Sequence, residues 1–135
     1  MTTIEKNGVR LATLIRVADR AAGLSFFSED GDFIQVGMWG YDSGKHLQAH
    51  IHNVVPRQID RTQEVICVLA GRVRCTVFDE AEEHVDDVTL DAGDVMVMLR
   101  GGHSYDILED GTQVLEVKNG PYPGAEVDRR RFGGE

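Results

Sequence analysis

The chain of 135 residues has the length of one domain and carries a formal net charge of −9. This acidic balance argues against a nucleic-acid partner, because binding to phosphate backbones depends on lysine and arginine. The apolar residues form no run near the ~20 residues that a membrane-spanning helix needs. The first residues show no basic segment followed by an apolar stretch, so we expect a cytoplasmic protein without a membrane partner.

Short runs rich in β-branched and aromatic residues, separated by turns that contain glycine, predict an all-β protein with one domain over residues 1–135. Many short strands with regular turns are typical of a sandwich or a barrel. A single helical turn is allowed within residues 17–23, and the tail beyond Gly120 is expected to be extended on the surface. In chain order the predicted strands are 10–17, 24–28, 33–41, 47–52, 62–69, 73–78, 95–99, 104–108 and 113–118.

Two further features of the pattern have more than one interpretation. The acidic run 79–87 predicts a solvated loop, with an exposed cation site at His84 as the alternative. Cys67 and Cys75 predict two free thiols in strands, since the cytosol is reducing. If both cysteines lie on one hairpin, they could instead face each other and oxidise.

The first candidate functional residues are His50 and His52, which are two residues apart and therefore project from the same face of a strand. On its own, such a pair is weak evidence for a functional site. Glu64 shares strand parity with Ile66 and Val68, so its carboxylate lies on a core face. Burying an unpaired charge is costly, which predicts a metal ion or, alternatively, a metal-free Glu–His ion pair at this position.

The order of these residues resembles the two motifs of the cupin superfamily. The first motif is carried by Gly44, five residues, His50-Ala-His52, Thr62-Gln-Glu64, six residues and Gly71. The second is carried by Gly93-Asp-Val and Leu99-Arg-Gly101-Gly-His103. The two motifs cover about residues 44–107, and several other segments look like those of small bacterial cupins of poorly characterised function.

The resemblance implies a single-domain cupin, an antiparallel β-barrel or double-stranded β-helix of the jelly-roll type. It also implies that one divalent metal ion is bound by His50, His52, Glu64 and His103. Three imidazoles and one carboxylate suit Fe, Mn, Ni, Co, Cu or Zn, and they leave positions on the ion for substrate, water or dioxygen.

Related cupins include dioxygenases and sugar isomerases or epimerases. We therefore expect a divalent-metal-dependent enzyme that acts on a small polar molecule within the barrel. The alternatives are a non-catalytic module that binds a small ligand or metal, and a metal-free structural barrel.

Other polar residues are candidates for contact with a substrate. Arg57 and Arg61, in the loop 53–61 near the mouth of the barrel, could clamp a carboxylate or phosphate. Glu116 and Lys118 share one face of a strand, which predicts a half-exposed ion pair. If that face instead looks into the barrel, either residue could act as acid or base, with Tyr105 as a proton donor.

The many strands leave sheet edges to be covered, which predicts a homodimer. We expect the N-terminal strands, residues 10–41, to form the contact. The tail, residues 120–135, is a second candidate for a surface or dimer element.

Overall fold

The computed structural model describes residues 1–133 and consists mainly of antiparallel strands. This confirms the all-β prediction. The helical segments are a 3₁₀ turn over Val17–Asp19, as the sequence allows, and a short helix, α1, over Ala125–Asp128. Within the described residues, no helix combines the length and apolarity needed to cross a membrane. The strands are β1 (Thr2–Lys6), β2 (Val9–Ile15), β3 (Gly23–Phe26), β4 (Gly37–Gly40), β5 (Glu64–Ala70), β6 (Arg72–Phe78), β7 (His84–Asp91), β8 (Val95–Met98), β9 (Gly102–Ile107) and β10 (Gln113–Lys118).

Two sheets pack face to face around the main core. A five-stranded sheet has the order β1-β2-β8-β5-β10, and a three-stranded sheet has the order β7-β6-β9. Their inner faces form one apolar cluster, since Ile66 and Met96 of the larger sheet pack with Val73 and Val77 of the smaller. The outer face of the larger sheet is covered by residues 27–38, which include the start of β4.

The alternation of side chains along β6 explains why the smaller sheet has one buried face and one solvent-exposed face. Val73, Cys75 and Val77 are buried, whereas the side chains between them face solvent. On that outer face the Arg72 guanidinium lies 2.7 Å from Asp91 of β7. This cross-strand pair supports the pairing of β6 with β7.

The two cysteines lie on strands that follow each other in the chain, β5 and β6, but these strands belong to different sheets and the thiols lie on opposite sides of the larger sheet. Cys75 packs in the main core between the sheets, and Cys67 packs in the outer cluster. Both are free thiols, as predicted.

The sandwich is held together along one side and open along the other. On the first side, Lys6 at the end of β1 places its Nζ 2.6 Å from carboxylate oxygens of Asp79 and Glu83. On the other side the edge strands are β9 and β10. Ile107 of β9 and Val114 of β10 pair with the buried residues Val73 and Val68, yet they are 63% and 38% exposed.

The structure corrects the prediction of a strand at 47–52. Residues 41–63 are irregular, and residues 41–60 are exposed throughout. The predicted strand has the right alternation, but no neighbouring strand in the described chain supplies its backbone hydrogen bonds.

The structure also corrects the prediction that the acidic residues 79–87 form a solvated loop. A turn occupies its first part, and β7 begins at His84 because the outward side chains of the strand find partners on β6. His84 itself lies 3.0 Å from Asp87 in an exposed pair. Strand β1 was not predicted at all.

The tail is not simply extended, as we had expected. It contains α1, and Phe132 packs edge-on against Phe78 with 5.1 Å between ring centroids. Asp128 accepts a hydrogen bond from the Thr62 hydroxyl. The predicted tail element also included residues 134 and 135, which lie outside the described residues.

The turn between β8 and β9 requires glycine, which gives the first testable prediction. Gly101 has a φ of +74°, and a Cβ there would lie 2.2 Å from the carbonyl oxygen of Phe78. Gly111 also has a φ of +74°, but its Cβ would meet nothing within 4 Å. Gly111→Ala should therefore cost only the left-handed backbone, about 1–2 kcal/mol. Gly101→Ala should lower the free energy of unfolding by a further ~1–3 kcal/mol through overpacking.

Denaturant unfolding of the two variants measures this difference. Equal losses of stability would show that the contact with Phe78 does not constrain the turn.

Candidate functional site

The centre of the candidate site is the carboxylate of Glu64, the first residue of β5. Glu64 lies on the inner face of the larger sheet, in register with Met98 on one side and Lys118 on the other. It is 6% exposed, so the carboxylate is buried among core residues, as strand parity predicts. A charge in this position must be compensated by nearby donors or cations.

The compensating groups come from both sheets. The Tyr105 hydroxyl donates a hydrogen bond of 3.0 Å to Glu64 Oε1, and the Nε2 of His103 lies 3.3 Å from the same oxygen. Both residues belong to the inward face of β9, across the interior from β5. Lys118 Nζ lies 3.9 Å from Glu64 Oε2. The carboxylate therefore links the two sheets at their open side.

Glu116 lies beside this cluster on β10. It pairs in register with Ile66, a core residue, and its carboxylate lies 3.6 Å from Lys118 Nζ. Glu116 and Lys118 therefore form the ion pair that the sequence predicts, but their shared face looks between the sheets toward Glu64. This is the arrangement that the acid–base alternative requires.

The surroundings push the acidic groups of the cluster in different directions. Burial opposes ionisation of Glu64, but hydrogen bonding and the charge of His103, with further donors, lower its pKa to about 2. Burial and the hydrogen bond to ionised Glu64 raise the pKa of Glu116 above its ordinary value, against the effect of Lys118. Neighbouring carboxyl groups with separated pKa values are a feature of sites that transfer protons.

Two neutral groups complete the inner surface around Glu64. Burial, followed by the charge of Glu64, raises the pKa of Tyr105 and keeps its hydroxyl protonated. The same causes, with a contribution from Asp87, raise the pKa of the Cys75 thiol to about 12. Cys75 is therefore a protonated core thiol rather than a nucleophile.

Two amide side chains that the sequence analysis did not single out position the strands that carry Glu64 and Lys118. Gln63 is buried, and its side-chain oxygen accepts hydrogen bonds of 2.8 and 3.0 Å from the backbone N–H groups of Phe33 and Ile34. The backbone N–H of Gln63 donates a hydrogen bond of 2.7 Å to the Asn119 side-chain oxygen. Both residues lie just outside a strand, where the alternation of buried and exposed side chains does not predict which residues are buried.

The structure brings Glu64 and His103 together but does not bring His50 and His52 to them. The two histidine rings are neighbours, with centroids 5.0 Å apart, but they lie on the exposed segment. Within residues 1–133, no group of three or more His, Cys, Asp or Glu side chains is arranged to hold a metal ion. The fourfold ligand set therefore stays a prediction.

The two candidate arginines also occupy separate places. Arg61 lines a cleft of about 620 Å³ together with Arg10 and Arg100, and it pairs with Asp60 at 3.3 Å. Arg57 does not line this cleft, and its guanidinium donates to the backbone carbonyl of Val55. The structure thus does not form an Arg57–Arg61 clamp.

Comparison with known proteins finds no match that could be set beside this geometry. No protein-family model matches the sequence, and neither the curated proteins nor the solved structures give a match. Membership of the cupin superfamily stays a prediction from the motif residues.

The lowered pKa of Glu64 generates a stability prediction for the metal-free protein. A carboxyl group whose pKa is about 2 in the folded chain, against 4.5 ordinarily, stabilises the fold above the unfolded-state pKa. That stabilisation, up to about 3 kcal/mol, is lost as the pH falls from 4.5 through 2. Glu64→Gln removes it, so the gap in unfolding free energy between wild type and variant should shrink over this window.

Urea unfolding between pH 7 and pH 2 measures the gap, with Glu126→Gln at an exposed position as the matched control. A gap for Glu64→Gln that stays constant with pH would contradict the lowered pKa.

Proposed function

We propose that this chain is a cupin-type metal protein, in which the two sheets close into a jelly-roll barrel around one divalent metal ion. We propose further that it is an enzyme acting on a small polar molecule, with dioxygenase-like or isomerase-like chemistry. The observation that supports this is the buried carboxylate of Glu64, held beside His103 at the open side of the sandwich.

The spacing of these two groups suits a shared metal ion. Ligand atoms bound to one ion at about 2.1 Å lie roughly 3.0–3.4 Å from each other. His103 Nε2 and Glu64 Oε1 are 3.3 Å apart. His50 and His52 would supply the remaining ligands once their segment lies against the open side.

The chain's own residues provide the rest of the chemistry. Glu116, with its raised pKa, holds a proton at higher pH than an ordinary carboxyl group and can pass it to a bound molecule. The ammonium of Lys118 attracts anionic groups, and the Tyr105 hydroxyl donates hydrogen bonds without ionising. A bound divalent ion would add Lewis-acid polarisation, or oxygen activation in the case of iron.

One observation favours the alternative of a non-catalytic binding module. Both carboxylate oxygens of Glu64 already have partners in the described chain: His103 and Tyr105 at Oε1, and Lys118 at Oε2. The cluster is thus compensated without a metal ion. A small ligand could then be held between the sheets by the same polar groups and released unchanged.

Elemental analysis of protein purified without chelators or nickel resin tests the proposal. Wild-type protein should carry about one metal ion per chain. His50→Ala/His52→Ala and His103→Ala should lose it, because each removes ligands from the ion. His84→Ala, which alters an exposed histidine paired with Asp87, should retain it.

The absence of metal from wild-type protein, even after reconstitution, would overturn the metal site and leave the binding module. A full complement of metal in the His50→Ala/His52→Ala variant would remove those residues from the ligand set.

A further inference from the structure

The cleft of about 620 Å³ is a second candidate binding site, on the opposite face of the larger sheet from the Glu64 cluster. Gln63 lines the cleft, and its side chain contacts Phe33 and Ile34. Ile34 belongs to the outer apolar cluster, whereas Glu64, the next residue after Gln63, points into the space between the sheets. The larger sheet therefore separates the cleft from the proposed metal site.

The walls of the cleft are held in place without a ligand. Gln63 is 6% exposed, and its side-chain oxygen accepts hydrogen bonds from the backbone N–H groups of Phe33 and Ile34, which fixes the loop between β3 and β4 against β5. Val9 and Phe33 are half-buried in the lining and make part of it apolar. A pre-formed cleft of this volume, with apolar and polar walls, is typical of a site for a small organic molecule.

The β2 flank of the cleft has an excess of negative charge. The guanidinium of Arg10 lies 2.6 Å from an oxygen of Asp32 and 3.1 Å from an oxygen of Glu29. Two carboxylates thus share one cation. Asp32 makes the shorter contact and is 10% exposed, whereas the Glu29 side chain is 69% exposed. Glu29 is therefore the carboxylate that is available to a further cation.

The opposite flank, formed by the chain after β8 and before β5, has an excess of positive charge. Arg61 donates through Nε to Asp60 at 3.3 Å, and Arg100 Nη1 lies 3.6 Å from Glu80, which is too far for a hydrogen bond and does not line the cleft. Within residues 1–133, the terminal nitrogens of both arginines have no hydrogen-bond partner. Guanidinium groups with free terminal nitrogens are suited to bind a carboxylate.

We propose that this cleft binds a small zwitterion, in which an apolar spacer separates one carboxylate from one ammonium group. The carboxylate is held by Arg61 and Arg100, the ammonium group by Glu29, and the spacer lies along Val9 and Phe33. The lining has three cationic and three anionic side chains, so a zwitterion matches the charge of both flanks. A simple anion such as phosphate would match only one of them.

NMR titration of ¹⁵N-labelled protein in the presence of EDTA tests this proposal. The probes are linear amino acids from glycine to 6-aminohexanoate, because the series covers a range of distances between the two charged groups. At least one probe should bind saturably and shift the amide signals of the cleft residues Gly31, Phe33 and Arg100. The carboxylic acid and the amine of the same length should each bind at least about tenfold more weakly, since each lacks one charged contact.

Three variants show which side chains hold the probe. Arg61→Gln/Arg100→Gln should weaken binding at least about tenfold. Glu29→Gln should reduce the affinity to that of the matched carboxylic acid. The three replaced side chains are at least 31% exposed, so the variants should keep the fold, which is checked by unchanged signals far from the cleft. Arg130→Gln, at an exposed arginine outside the cleft, is the control and should bind as wild type does.

The proposal is overturned if no probe shifts the cleft signals at tens of millimolar, or if the variant without Arg61 and Arg100 binds as tightly as wild type. Equal binding of the matched carboxylic acid or of inorganic phosphate would show a simple anion site and would also overturn it. The titration contains no free metal ion. Its outcome is therefore separate from the elemental analysis of the proposed metal site.

Discussion

The structure around the candidate site depends on the burial of one negative charge, the carboxylate of Glu64. A carboxylate that is 6% exposed on a core face is tolerated because groups from two strands, β9 and β10, compensate it. This requirement explains why β9 and β10 carry polar side chains on inward faces that would otherwise be apolar. It also ties the register of both sheets to one point, since a one-residue slip of any of these strands would leave the charge unpaired.

The same cluster lies where the sandwich is incomplete. The side closed by Lys6 and its two carboxylates is an ordinary edge contact, whereas the side at β9 and β10 leaves core-register residues exposed. A polar cluster at an open side is accessible to small molecules. The proposed function follows from this gap, because a metal ion or a small ligand would fill it.

The alternation of apolar and polar residues predicted the parts of the fold in which a strand pairs with another strand of the chain. The inward direction of Glu64, Ile66 and Val68 followed from strand parity. The segment 47–52 shows the same alternation but is irregular, because parity describes side-chain directions and not the presence of a neighbouring strand. Strand β7 was hidden by its acidic outer face, and the positioning role of Gln63 and Asn119 depends on loop contacts that carry no periodic signal.

The most direct test of the account is the metal content of the purified protein. Wild-type protein should carry about one metal ion per chain, and the Glu64→Gln/His103→Ala variant should carry none, because the substitutions remove the two proposed ligands at the open side. A wild type that takes up no metal on reconstitution, or a variant that keeps a full complement, would contradict the account.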